Sequence, residues 1–402
     1  MGGVISLGGD PRSRTVLAGS GLGVGDDWRV ALEAALDGAL GPLMGHAPDL
    51  LVLFAGAAYD ESYGGILAQA AARSGAREVV GCSASGVIAG ERELEDEPGV
   101  AVLALRLPAG SLLRVQHVLP VDLEEPVDWP ERLGLAANAC TGLILLADPF
   151  TTDVAALIGG LERDYPGATI VGGMATGAPG VQRTFVFYGR SVAAGGAVVI
   201  ALGGAATLRP VVSQGCEPIG DAWTITDVAG HIVKAIGGRP AYQVLAETIQ
   251  ALDTPHRQRA NGNLLVGLAM DEYRDEFKRG DFLIRNLMGV DRTSGAIAVA
   301  GEPRIGQTLQ FQIRDSRAAD EELRHMLTTE QSRPSAAVLL FACNGRGTGL
   351  FGAPDHDART VRELLGPLPL AGLFCNGEIG PVGAATYIHG FTASLALIAA
   401  SS

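Results

Sequence analysis

Runs of consecutive apolar residues recur along the chain: LLVLFAG (50–56), GVAVLAL (99–105), GLILLADPF (142–150), GGAVVIAL (195–202), AVLLFACNGRG (337–347) and LPLAGLFCNGEIGPVG (368–383). Continuous runs of this length predict strands buried on both faces, as in the sheets of α/β proteins. Between them apolar residues return at helical spacing. Asp26 or Asp27 is placed to cap a helix through Trp28, Leu32, Leu36, Leu40 and Leu43. A helix over 66–73 stops at Gly75, Thr152 or Asp153 caps another, and one over 360–365 ends at Gly366. FVFYGR (185–190) followed by GGAVVIAL predicts a hairpin.

The order strand, helix, strand, small-residue turn, strand appears three times. Gly81-Cys82-Ser83-Ala84-Ser85-Gly86 aligns with Gly172-Gly173-Met174-Ala175-Thr176-Gly177, with matching strands on either side, which indicates an internal duplication. The C-terminal stretch 337–398 repeats the layout a third time. Residues 207–260 differ in texture: a helix is predicted over 227–236, stopped by Gly237-Gly238, with another starting near Pro240. The alternating segments at 263–272, 281–291, 295–301 and 309–315 predict an antiparallel meander, and a helix over 320–327 leads into the third copy. The expected fold is α/β, with mixed sheets built from repeated strand–helix–strand units in two halves: a lead-in over 1–26, then 27–234 and 235–402.

Composition narrows the function. At 402 residues the chain has room for two domains. Thirty Lys+Arg against 44 Asp+Glu give a net charge of −14 and no basic cluster, so a nucleic-acid partner is not expected. The five cysteines show neither CxxC nor Cys/His spacing, which points to reduced thiols in a cytoplasmic protein. No apolar run reaches membrane-spanning length, so no membrane role is expected. Met1-Gly2 with Ser6 matches the myristoylation pattern formally, a match that small-residue starts produce by accident.

The CNGRG tip, the LFCNGEIGPVG turn and the HGFTASLAL ending (389–397) resemble the C-terminal half of the FIST domain. VVGCSASGV, GVAVLAL and VSQGCEPIG resemble its N-terminal half. The resemblance spans roughly residues 30–400. It implies a sensory module for small molecules such as amino acids, assigning 27–234 to FIST N and 235–402 to FIST C; some relatives bind haem. Relatives are often joined to kinase, methyl-accepting, cyclase or F-box regions. Here the output is expected from a separate signalling protein such as a kinase or receptor.

Candidate chemistry gathers at the third copy. Arg346 between two glycines offers a fork for a carboxylate or phosphate, or a structural bridge to Glu378 on the neighbouring tip. Asn344 and Asn376 suit left-handed turns or amide contacts to a ligand. Cys343 and Cys375 are small apolar fillers, site-lining thiols, or the nucleophile of a cysteine-dependent enzyme. His389 is either a hydrogen-bonded structural histidine or an axial ligand for non-covalent haem. Arg285, on an apolar strand, needs a partner such as Asp291 or Asp271, or belongs to the ligand site. Cys82, Ser83, Ser85 and Thr176 form two small-residue turns that serve as tight strand exits or anion-holding nests. One ligand cleft is expected, formed mainly by the C-terminal tips.

Overall fold

The computed structural model describes residues 14–401 apart from Asp275, so the Met1-Gly2 lipidation pattern lies outside the described residues. The chain forms three copies of one unit. The first comprises β1 (Leu17–Val24), α1 (Trp28–Leu40), β2 (Leu50–Gly56), α2 (Tyr63–Ser74), β3 (Glu78–Ala84), a hairpin of β4 (Gly86–Ala89) and β5 (Arg92–Leu94), and β6 (Gly99–Arg106). The second runs β7 (Ser111–Val118), α3 (Trp129–Leu133), β8 (Cys140–Ala147), α4 (Val154–Asp164), β9 (Thr169–Met174), the hairpin β10 (Val186–Tyr188) and β11 (Ser191–Ala193), and β12 (Ala197–Gly204).

The third copy is interrupted after its first strand, β13 (Ala206–Ser213). The insertion contains β14 (Cys216–Ala229), β15 (Ile232–Ile236), β16 (Arg239–Pro240), α5 (Ala241–Ala251), α6 (Thr254–Ala260), β17 (Leu264–Ala269), β18 (Phe282–Asp291), β19 (Ala296–Val299) and β20 (Thr308–Arg314). The unit then resumes with α7 (Ser316–Glu330), β21 (Ala337–Cys343), α8 (Thr348–Phe351), α9 (His356–Leu365), β22 (Leu370–Cys375), the hairpin β23 (Glu378–Val382) and β24 (Ala385–His389), and β25 (Ala393–Ala400).

Each unit orders its four long strands identically: β1-β6-β2-β3, β7-β12-β8-β9 and β13-β25-β21-β22. The central pairs β2/β3, β8/β9 and β21/β22 are parallel. Each sheet is completed by a hairpin from another unit. The first receives β10–β11, the second β23–β24 and the third β4–β5. This cyclic exchange interlocks N- and C-terminal residues. The inner faces of all three sheets share one core, to which Phe54, Leu146 and Phe341 contribute. The outer faces are covered by α1 and α2, by α3 and α4, and by α7 and α9.

A glycine marks the same place in every copy. A Cβ at Gly81, Gly172 or Gly372 would lie 1.7, 2.0 or 2.1 Å from the carbonyl oxygen of Leu53, Leu145 or Leu340. No side chain fits there. This register extends the alignment to a third row, Gly372-Leu373-Phe374-Cys375-Asn376-Gly377, and sets Ser85, Thr176 and Asn376 in equivalent positions.

Mixed sheets built from strand–helix–strand units are present as expected. The caps are too: Asp27 accepts from Arg29 N, Asp153 accepts from Ala156 N, and Gly75 ends α2 at φ 60°. Three local expectations are corrected. Residues 227–236 are strand rather than helix, because β-branched Ile225, Thr226, Val228, Ile232 and Val233 flank a tight turn at Gly230 (φ 56°). Residues 185–190 and 195–202 do not pair with each other. β10 turns at Gly189 into β11, while Gly195 and Gly196, both at positive φ, redirect β12 to β7 and β8. In the inserted sheet β20 pairs with β17 and β14, not with β19.

Candidate functional site

The three equivalent turns after β3, β9 and β22 meet at one point, and a hydroxyl organises the meeting. Thr176 Oγ1 accepts from Ser85 N (2.8 Å), and its hydroxyl donates to the Phe374 carbonyl (2.8 Å), joining all three units. Ser83 Oγ donates to the Thr176 carbonyl (2.8 Å) and Ser85 Oγ to Asn344 Oδ1 (2.9 Å). Above this junction opens a cavity of about 600 Å3 bordered by Ser85, Thr176, Asn376 and Asn344. The loop 177–182, Phe150, Glu95 and Asp96 complete the lining. These two carboxylates are the only charged groups among the described lining residues. Glu95 Oε1 is anchored by Thr348 N and Oγ1, both at 2.8 Å.

The cavity therefore offers hydroxyls, amides and negative charge. With Asn344 Oδ1 taken by Ser85, its Nδ2 is left to donate. Such a lining suits a compact polar molecule carrying amino or amide N–H groups.

The expected site residues are divided by the structure. Asn344 and Asn376 are exposed and line the cavity. Arg346 does not, and the expected bridge to Glu378 is corrected. Its Nε and Nη2 pair bidentately with Asp357 at 2.6 and 2.9 Å, and both side chains are at most 1% exposed. Asp357 lies on α9, eleven residues on, so Nε and Nη2 are satisfied locally before any ligand is needed, while Nη1 is buried without a partner among the described residues. Burial by itself would raise the Asp357 pKa, yet the charge and hydrogen bonds of Arg346, with help from His356, hold it near about 2. Glu93, on the donated strand β5, packs beside this pair. Burial, then repulsion from Asp357, lifts its pKa to about 8.

Glu378 is buried under the tips. Its carboxylate accepts from Thr392 N (3.1 Å), Gly377 N (3.3 Å) and the Cys375 thiol (3.6 Å), while burial pushes its pKa up to about 8. Cys343 and Cys375 sit side by side in register on the inner face. Burial, then the Glu378 charge, pushes the Cys343 thiol up to about 11 and Cys375 well above its ordinary value. That environment opposes thiolate formation.

His389 is paired across the hairpin with Glu378 and is 4% exposed. Its Nε2 lies 2.9 Å from the Gly380 carbonyl, and burial lowers its pKa to about 4. In the neutral form its Nε2–H donates to that carbonyl, which takes this nitrogen away from an axial haem role. Among the described residues no group of three or more His, Cys, Asp or Glu is arranged to hold a metal ion. Arg285 lies elsewhere, against the β23–β24 hairpin, and touches neither Asp291 nor Asp271. The expected single cleft is thus corrected: the C-terminal tips supply only Asn344, Phe374 and Asn376 to a cavity otherwise lined by the first two units.

Ser85, Thr176, Glu95 and Asp96 were not expected as one site. Aligning all three copies places the first two opposite Asn376; the two acids lie in the loop from β5 to β6, whose equivalents in the other copies, 194–196 and 390–392, carry no acid.

Among the described residues no helix is long and apolar enough to cross a membrane. A crystal structure of cyanuric acid hydrolase from A. caulinodans aligns over 96% of this chain and 99% of that chain, at 10% identity and a TM-score of 0.36. An uncharacterized protein of Mycobacterium tuberculosis is 37% identical over 392 residues, covering 94% of this chain and 98% of its own length. One of Mycobacterium bovis is 36% identical over 394 residues, with the same coverage. The FIST N domain matches residues 49–239 and the FIST C domain residues 241–381. The chain belongs to the FIST family.

Proposed function

We propose that the cavity on the three-unit axis binds a small polar metabolite, an amino acid or a compound of similar size and polarity, and that occupancy is the signal. FIST domains are sensory, ligand-binding modules. The observation that carries the reading is the convergence of Ser85, Thr176 and Asn376, one from each unit, on a single cavity of about 600 Å3. Glu95 and Asp96 match an ammonium group, and the amides of Asn344 and Asn376 match a carboxylate or amide. A ligand here touches all three units at once, so it favours one relative arrangement of them. We assign the reading of that arrangement to a separate signalling protein such as a kinase or receptor.

A thermal-shift screen of the full chain against amino acids, nucleotides and haem tests this, because a ligand of the native state raises apparent stability. At least one small polar compound is expected to raise the melting temperature. Asn376→Phe, which fills the cavity, is expected to abolish the shift while leaving the unliganded midpoint nearly unchanged, Asn376 being exposed. A hit whose shift survives in Asn376→Phe places the ligand elsewhere and contradicts the proposal.

A further inference from the structure

A smaller cavity of about 280 Å3 lies between the inserted sheet and the β23–β24 hairpin, separate from the axial one. Arg285, on β18, lines it from a half-buried position. Its Nη1 donates to the carbonyls of Ile284 (3.2 Å) and Ile388 (3.1 Å). Among the described residues, Nε and Nη2 have no hydrogen-bond acceptor and no carboxylate stands within ion-pair distance of the guanidinium. Burial depresses its pKa with no neighbouring acid opposing the shift. A half-buried cation without counter-charge leaves donors for a ligand to meet.

The free edge is the informative one. Nε and Nη2 are the pair of donors that grip a carboxylate or phosphate bidentately. Arg304 and Tyr387 line the same cavity, and Arg304 also forms no ion pair among the described residues. Glu302 stands exposed at the rim, beyond ion-pair distance of either arginine. Leu268 and Leu283 supply an apolar wall.

We propose that this cavity is a second ligand site, taking a small oxyanion: the carboxylate or phosphate group of a compact molecule. Arg285 holds it by its free edge, Arg304 adds charge and the Tyr387 hydroxyl donates. The site ties the inserted sheet to the hairpin through Arg285 and the Ile388 carbonyl, and it stands independently of the axial reading.

Calorimetric titration of the full chain with sodium phosphate, and separately with sodium acetate, at ionic strength matched by sodium chloride, tests this. One or both anions are expected to bind saturably at one site per chain, and which of them binds identifies the headgroup. Arg285→Met is expected to weaken binding at least tenfold, whereas Asn376→Phe leaves it unchanged. Failure of both anions to saturate, full binding by Arg285→Met, or loss in Asn376→Phe overturns the proposal. Should Arg285→Met fail to fold, Arg304→Ala decides: weakening of threefold or more supports the site, and unchanged affinity overturns it.

Discussion

Replacing Arg346 by methionine is expected to lower the unfolding free energy by about 3–5 kcal/mol, the usual cost of removing one partner of a buried ion pair. The guanidinium meets Asp357 through two hydrogen bonds, and neither side chain reaches solvent. Without it the Asp357 carboxylate keeps, among the described residues, only His356 Nδ1, at 3.0 Å, as a side-chain partner. The double variant Arg346→Met/Asp357→Leu is expected to recover more than half of the loss, since an apolar pair of similar volume carries no desolvated charge. Urea unfolding of the three variants measures this. A loss below about 1 kcal/mol in Arg346→Met would mean that the pair is not the structural clamp described above. The pair also sets an acid limit. Asp357 titrates near about 2 in the folded chain, below its ordinary value, so its stabilisation is complete above that ordinary value and fades as pH falls through about 2.

Stability is expected to fall as the solution becomes alkaline, and Glu93→Gln to remove part of that fall. Glu93 Oε1 accepts from Ala358 N at 2.8 Å, while Oε2 is buried without a partner among the described residues. Burial and the nearby Asp357 raise its pKa from 4.5 to about 8. Between those values the folded chain holds a proton that the unfolded chain has released. The contribution is therefore full below about pH 4.5 and is lost as pH rises through about 8. Glu378 shifts in the same direction for the same first reason, burial, so the wild-type decline has two sources. Glutamine at 93 keeps the acceptor for Ala358 and cannot ionise. The variant is expected to match the wild type near pH 5 and to exceed it near pH 9 by an amount on the order of a few kcal/mol. Parallel stability curves from urea midpoints at pH 5, 7 and 9 would show that Glu93 is not the titrating group.

Much of the fold is legible in the sequence because its long central strands are buried on both faces. LLVLFAG, GLILLADPF and AVLLFACNG read as strands without tertiary information, and Asp27, Gly75, Asp153 and Gly366 mark helix ends through local capping chemistry. The hairpin exchange is not legible. Strands β5, β10 and β11 are three residues each, too short for a pattern to declare which sheet they join. At 227–236 the alternation of exposed polar and β-branched residues across the β14–β15 hairpin imitates a weakly amphipathic helix.

The candidate site is half legible. The CNG tips point to Asn344 and Asn376, and the internal alignment already sets Ser85 opposite Thr176. The role of Arg346 could not be read, because the glycines on either side suggest an open approach. In the fold those glycines let Arg314 and Glu95 pack against the backbone: a Cβ at Gly345 or Gly347 would come within 2.6 Å of them. Likewise the acidic run 91–97 resembles a solvated surface patch. Only the folding back of β4–β5 onto β22 carries Glu95 to the cavity and Glu93 to the Arg346–Asp357 pair.

The most direct measurement of the central claim is the affinity of the strongest polar hit from the ligand screen for Ser85→Ala and Asn376→Ala, by titration calorimetry. The two residues lie 291 positions apart in sequence and come from different units, yet both line one cavity. Each substitution is expected to weaken the same ligand by about tenfold, roughly one hydrogen bond's share, with one ligand bound per chain. An affinity unchanged by either substitution, or a stoichiometry of two or three per chain, would contradict a single site shared by the three units.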